Sequence, residues 1–318
     1  MTASERSWIR GLGSTGLEVS AVGAGGAPLG SMPENFGYEV SEEDAINLVR
    51  AILESPIRFI DTSNGYSEGR SEQRIGAGIA AGGGLPSDLV VATKVDPRGS
   101  DYSGQRVRES IRESKTRLGL DFLPLVYLHD PEFHDFTQMN KPGGAVEALV
   151  DLRADGEVGH LGLAGGDVHE MRRYLDLEVF EVVLIHNRWT IVDRSATDLI
   201  EQAARSDVAV VNAAIYGGGI LANPQGSATS YGYRPLRPDT REAIRQMDRL
   251  SSRWDTTLAT VALQWSLRDP RVNSTVIGFT KKSRLDSILA SAHHELPDEF
   301  WDQLETFVPE QSNWLDYQ

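Results

Sequence analysis

Short apolar runs rich in β-branched residues recur along the whole chain, at 19–23, 58–61, 89–94, 122–129, 159–164, 179–186, 209–213 and 274–278. Each is followed by a stretch whose apolar positions return every three to four residues, and this alternation predicts strand-then-helix units. Most of these runs lack a polar-apolar alternation, which is the pattern of parallel strands covered on both faces. Helices are predicted at 42–54, 72–81, 105–118, 144–154, 168–175, 195–204, 239–252, 256–267 and 284–291. The first has Ser41 as its N-cap and Asp44 at its third position, a strong helix-start signal. Gly/Pro clusters at 82–86 and 140–144 lie where loops are needed, and no Pro/Ser-rich linker divides the chain. The chain therefore reads as one domain over residues 1–318. Eight such units in a domain of this size predict an α/β fold, a closed (β/α)8 TIM barrel, over an open doubly wound sheet, which has fewer strands and a topological switch point.

Composition narrows the function. The 318 residues carry 31 basic and 46 acidic side chains, a formal net charge of −15. Nucleic acid and anionic membrane both demand a positive surface, so neither is expected as a partner. With 40% hydrophobic residues the chain can build a large core, and with no cysteine it has no disulfide, thiolate ligand or thiol nucleophile. Redox chemistry would need a bound cofactor. The opening MTASERSWIRGLG carries Glu5, Arg6 and Arg10 with no apolar run behind them, so no signal peptide is expected. No apolar stretch reaches the ~18 residues that span a bilayer, and the expected location is the cytoplasm.

In a (β/α)8 barrel the chemistry sits at the C-terminal ends of the strands and in the loops after them. There the second strand ends on Asp61 with Tyr66 in its loop, the third ends on Lys94 and the fourth on His129. Singly, each has a structural reading: a loop or capping carboxylate, an exposed loop aromatic, a lysine whose stem is buried while its amine reaches water, a satisfied buried histidine. Together, at three successive strand tips, they make a general acid. An ammonium beside a phenol stabilises the phenolate and is expected to lower the Tyr66 pKa from about 10. Asp61 would keep Lys94 charged and aimed, and His129 would hydrogen-bond a substrate oxygen or pass a proton to Tyr66.

The sequence resembles the aldo-keto reductase family over nearly its whole length, from G-S-T-G-L-E-V-S-A-V-G-A-G-G to V-I-G-F-T-K-K-S-R. Its most specific part is the D-x-x-x-x-Y element with a lysine and a histidine downstream, matched in order by Asp61, Tyr66, Lys94 and His129. The resemblance implies reversible hydride transfer between NAD(P)H and a carbonyl or alcohol carbon, with Tyr66 as general acid or base. The family binds its dinucleotide without a Rossmann fold, so the lack of a G-x-G-x-x-G unit is no objection. The glycine-rich run 23–30 is instead expected to be the first loop of the barrel, with Gly26, Ala27 and Pro28 on the nicotinamide-ribose and substrate side.

The resemblance weakens at the carboxamide position, where Ala164 and Gly165 replace a Ser-Asn pair, so that backbone contacts or a neighbouring residue must substitute. His186 and Asn187 stand near a family amide contact, and a buried structural role for His186 is equally open. The family's stacking aromatic aligns with Ala213, and Tyr216 either stacks in its place or only lines the loop; it is followed by Gly217, Gly218 and Gly219, which permit close approach of a pyrophosphate. Gly278, Thr280, Lys282 and Arg284 lead into a helix and suit an adenosine phosphate. Arg284 matches a residue that contacts the 2′-phosphate or adenine, whereas Gly278 replaces a lysine of many NADPH enzymes, so NADP is favoured over NAD without being fixed. Trp189 and Tyr231 are candidate walls of the substrate pocket or simple packing.

Two other classes compete. A metal-dependent hydrolase would need grouped ligands, and the seven histidines include no H-x-H pair, so no metal is expected. A cofactor-sensing regulatory subunit with little turnover would keep the fold and the dinucleotide, and the presence of all four catalytic types argues for an enzyme. The segments N-R-W-T-I-V-D-R and V-V-N-A-A are more similar to the family's bacterial aldose dehydrogenase branch, which includes D-threo-aldose and L-fucose dehydrogenases, than to its aldose reductases. The expected substrate is an aldose at C1 or a related aldehyde, ketone or alcohol.

Overall fold

The computed structural model describes residues 7–32 and 39–317; Glu5 and Arg6 lie outside them. The chain opens with an antiparallel hairpin, β1 (Ile9–Gly11) and β2 (Glu18–Ser20), in which Ile9 faces Ser20. It then enters the barrel through β3 (Val22–Gly25), β4 (Phe59–Asp61), β5 (Val90–Val95), β6 (Leu123–His129), β7 (Val158–Gly165), β8 (Val182–His186) and β9 (Ala209–Ala213). A short antiparallel ribbon, β10 (Ser230–Tyr231) with β11 (Arg234–Pro235), follows, and β12 (Val272–Gly278) closes the barrel by pairing in parallel with both β9 and β3.

The predicted run at 19–23 thus covers two elements. Ser20 separates them: its hydroxyl donates to the Val22 carbonyl at 2.6 Å and accepts from the Arg58 N–H at 2.7 Å, turning the chain from hairpin into barrel. The hairpin plugs the bottom of the barrel with Leu12 and Val19, both fully buried. Gly13, at φ +57°, passes so close to the start of β9 that a Cβ there would lie 2.9 Å from the Ala209 nitrogen.

Around the barrel run α1 (Glu42–Glu54), α2 (Arg70–Ala81), α3 (Gly104–Leu118), α4 (Phe136–Asn140), α5 (Ala145–Ala154), α6 (Val168–Leu175), α7 (Thr197–Arg205), α8 (Pro238–Arg253), α9 (Leu258–Arg268), α10 (Lys282–Ala292) and α11 (Asp298–Glu305). Ser41 caps α1 by accepting from the Asp44 N–H at 3.0 Å, as its sequence predicts. Two helices lack a sequence prediction: α4, whose five residues are too few turns for a periodic signal, and α11, which spans eight. Among the described residues no helix is long and apolar enough to cross a membrane.

The period-two geometry of the strands aims the chemistry. Phe59, Ala92, Leu125, Tyr127, Leu184 and Val211 point into the barrel and form its inner cluster, while Ile60, Val91, Val126, Val183 and Val210 face the helices. Two residues beyond Phe59 is Asp61, beyond Ala92 is Lys94, beyond Tyr127 is His129 and beyond Leu184 is His186. Each of these polar side chains therefore continues an inward-facing row and emerges at the C-terminal mouth. The ladder register holds them side by side, with Asp61 opposite Ala92, Lys94 opposite Tyr127 and His129 opposite Ala164.

Candidate active site

Lys94 is almost wholly buried, and its Nζ donates to Asp61 Oδ1 at 2.6 Å, to the Thr62 carbonyl at 2.7 Å and to the Tyr66 hydroxyl at 3.3 Å. Tyr66 opens a 3-10 turn after β4, and its ring meets that of His129 edge-on at 5.7 Å. Burial alone would discharge Lys94, but Asp61 and then Tyr66 outweigh it and hold the ammonium above its ordinary pKa. Burial pushes the Asp61 carboxyl up and Lys94 pulls it back.

Tyr66 departs from expectation. Burial raises its pKa more than Lys94 lowers it, so the phenol sits above its ordinary value rather than below. Burial is the larger cause; Lys94 still favours the phenolate, and Asp61, which holds Lys94 at 2.6 Å, offsets part of that pull.

Asp96, two residues past Lys94, has no place in the sequence reading, yet its Oδ1 lies 2.6 Å from His129 Nδ1. The other carboxylate oxygen, Oδ2, accepts from the Gly65 N–H at 2.6 Å and from the Ser63 hydroxyl. Burial would neutralise His129, but Asp96 and Asp130 together keep its pKa above the ordinary value, while His129 in turn helps hold Asp96 below the usual carboxylate range. With Nδ1 taken by Asp96, the free edge of the imidazole is Nε2.

A cavity of about 1640 Å³ opens above this group. Asp61, Tyr66, Lys94 and His129 line its floor, with Gly26, Ala27 and Pro28 on one side and Ala164 and His186 on another. Tyr216 and Gly219 line the far wall, and Gly278, Thr280, Lys282 and Arg284 its end. Five predicted residues are placed elsewhere. Gly165 is covered by Glu132, whose Oε2 lies 2.6 Å from where a Cβ would stand, and Gly217 packs on the Tyr231 ring, leaving Gly218 on the wall. Asn187 is fully buried with φ +63°, its Nδ2 3.1 Å from His186 Nδ1. Trp189 is buried against Trp265, its indole N–H donating to Asp269 at 3.0 Å, so it walls nothing. Tyr231 is buried too, bonded to Thr190 and the Asn187 carbonyl.

Beside His129 the loop after β6 adds Asp130, in the left-handed region at φ +43°. Asp130, Glu132 and His186 bring ligating atoms within 4.8 Å of one another, a gathering the expectation of no metal did not foresee. Glu132 Oε1 is already engaged by the N–H groups of Gly166 at 2.6 Å and Asp167 at 3.2 Å.

The sequence model of the Aldo/keto reductase family matches residues 21–309. The chain belongs to the aldo/keto reductase family. It is 32% identical over 288 residues to L-galactose dehydrogenase of Arabidopsis thaliana, covering 89% of this chain and 87% of that protein. To D-threo-aldose 1-dehydrogenase of a Pseudomonas species it is 28% identical over 320 residues, covering 92% and 94%. Pyridoxal 4-dehydrogenase of Microbacterium luteolum is 28% identical over 345 residues, covering 96% and 97%. The holo form of an aldo-keto reductase from Bacillus halodurans superposes with a TM-score of 0.79 at 22% identity over 97% of this chain and 100% of that one, a likeness of fold.

An aldo/keto reductase is an NAD(P)-dependent oxidoreductase, and the far end of the cavity fits a dinucleotide. Helix α10 begins there with Lys281 as N-cap and no side chain capping its first turn, so free N–H groups, the helix dipole and the charges of Lys281, Lys282 and Arg284 coincide. Gly218 and Gly219 adopt positive φ with open space where a Cβ would be, which lets a bulky ligand approach the backbone.

Proposed function

We propose that this aldo/keto reductase transfers a hydride between NAD(P) and C1 of an aldose, or a related aldehyde, ketone or alcohol, with Tyr66 as general acid and base. The observation that carries the reading is the chain Asp61, Lys94, Tyr66 with His129 edge-on to the phenol, all facing one cavity whose opposite end is cationic. Two relatives named as sugar dehydrogenases support the substrate class. NADP is the favoured cofactor, because a further phosphate adds charge where Lys281, Lys282 and Arg284 cluster. The cytoplasm is the proposed location.

When bound, NAD(P) supplies or accepts the hydride. In reduction, the Tyr66 hydroxyl gives its proton to the carbonyl oxygen as the new C–H bond forms, and Lys94 stabilises the phenolate left behind. His129 Nε2 donates a hydrogen bond to the same oxygen and holds it within reach of Tyr66. Oxidation runs in reverse, the phenolate taking the proton of the sugar hydroxyl. A phenol held above its ordinary pKa keeps its proton through neutral pH, so it is ready for reduction, and oxidation should accelerate as pH rises.

The test is titration of the protein with NADPH and separately with NADH, followed through quenching of its six tryptophans. L-Fucose is then added with the oxidised form of whichever binds. Growth of nicotinamide absorbance is expected. Tyr66→Phe should bind the cofactor normally and lose about 10²–10⁴ in turnover; full turnover by that variant would remove Tyr66 from the mechanism.

A further inference from the structure

Resting on the reading just given, the geometry points to Asp130 as the residue that selects the substrate by charge: we propose that its carboxylate accepts hydrogen bonds from hydroxyl groups beside the reacting carbon and excludes aldehydes and sugars that carry a carboxylate. Asp130 Oδ2 lies 3.7 Å from His129 Nε2, and Oδ1 lies 3.7 Å from His186 Nε2, so the group stands next to the place where Tyr66 and His129 must hold the reacting oxygen. Its Oδ1 is buried and, apart from the 3.7 Å approach of His186, has no hydrogen-bond partner within the protein. An acceptor in that state costs free energy unless a ligand's donor reaches it.

The charges around the mouth leave Asp130 in control of the local field. Lys94 is matched by Asp61 at 2.6 Å and His129 by Asp96 at 2.6 Å. The guanidinium of Arg188, two residues past His186, is committed to Asp316 through two contacts at 3.0 and 3.1 Å. Glu132, beside Asp130, adds negative charge that two backbone N–H groups moderate. Among the described residues, His186 lies within reach of both carboxylates. With its first two pairs cancelled, the substrate end of the cavity is anionic, while at the α10 end, where Lys282 pairs with Asp286 at 3.1 Å, Lys281 and Arg284 supply positive charge, so one cavity sorts its two ligands: phosphates to one end, neutral hydroxylated carbon to the other. The position holds this charge through the working range, since His129 and His186 oppose burial and keep the Asp130 carboxyl at about 2. Phe133 and Tyr233, 78% and 77% exposed, line the same mouth and offer ring faces to the C–H surface of a sugar.

The test compares pairs of substrates that differ only in charge: an aldohexose and the matching hexuronate in oxidation, butanal and succinic semialdehyde in reduction. Wild-type protein should favour the neutral member of each pair by roughly tenfold or more in kcat/KM. Added salt should narrow that ratio by screening. Asp130→Asn should lower kcat/KM on the aldohexose about tenfold and raise it on the hexuronate, so that the preference collapses, with melting temperature and NADPH binding reporting that the variant is folded. Equal use of both members by the wild type, or a preference untouched by Asp130→Asn, overturns the assignment and leaves the aldose reading standing. Rejection of both sugars, with butanal still favoured over succinic semialdehyde, removes the aldose reading and keeps the charge selection. Should the variant fail to fold, the wild-type ratios and their response to salt decide the matter alone.

Discussion

Replacing Asp61 by asparagine removes one charge from a pair that water cannot reach: the Lys94 and Asp61 side chains are 1% and 5% exposed. Breaking a buried ion pair on one side costs about 3–5 kcal/mol, because the remaining charge is stranded. Asparagine keeps the shape and one carbonyl oxygen to accept from Lys94, and burial already holds the Asp61 carboxyl above its ordinary value, so its removal returns part of the cost. Both considerations favour the low end, about 3 kcal/mol at neutral pH. The pH dependence distinguishes a stranded charge from simple loss of packing. In the wild type the folded-state pKa of Lys94 is raised above its ordinary 10.5, so the stabilisation is complete below 10.5 and is lost only as pH climbs through the higher folded value. In Asp61→Asn, burial becomes the dominant influence and depresses the folded pKa, so the penalty is full at low pH and relaxes as pH rises toward 10.5. The stability gap between the two proteins should therefore narrow between neutral pH and about pH 10. Urea unfolding by far-ultraviolet circular dichroism at both pH values measures it, and a 3 kcal/mol loss moves the midpoint by about 1 M or more at typical slopes. A gap under 1 kcal/mol at neutral pH, or one that ignores pH, refutes the ion-pair account.

Asp96→Asn should lower the His129 pKa, because only Asp130 is then left to oppose burial among the carboxylates that raise it, and the His129 limb of the pH-rate profile should move to lower pH; an unmoved limb would mean that Asp96 only packs. Gly76→Ala should destabilise by about 1–3 kcal/mol, since its Cβ would stand 2.2 Å from the Arg117 carbonyl oxygen, a backbone atom that no rotamer change can clear. A melting temperature equal to that of the wild type would refute the close approach of α2 to α3.

What the sequence carries best is periodicity. The barrel strands are continuous apolar runs because helices cover one face and the packed interior the other, and their count already implies closure. The inward row that begins at Phe59 ends at Asp61, and the rows through Ala92 and Tyr127 end at Lys94 and His129, so strand-tip chemistry is legible wherever a polar residue interrupts an apolar strand. Trp189 shows the limit of this logic. It follows β8 in a loop at the active face, yet its indole finds Asp269 and Trp265 and turns away from the cavity, an outcome that depends on partners some 80 residues distant. Asp96 and, as a neighbour of the substrate, Asp130 were hidden for the opposite reason. Each lies within two residues of a predicted catalytic side chain, but a carboxylate just past a strand end is also the commonest feature of a solvated loop. Only closure of the barrel, which carries Asp96 to His129 and Asp130 to His186, separates a loop acid from one that tunes the imidazole or faces the substrate. Asp61, Lys94 and His129 of the proposed tetrad could thus be placed from their strands, and Tyr66 from the loop after one of them. The residues that set its pKa values and its choice of substrate come from contacts between neighbouring loops, which no single segment encodes.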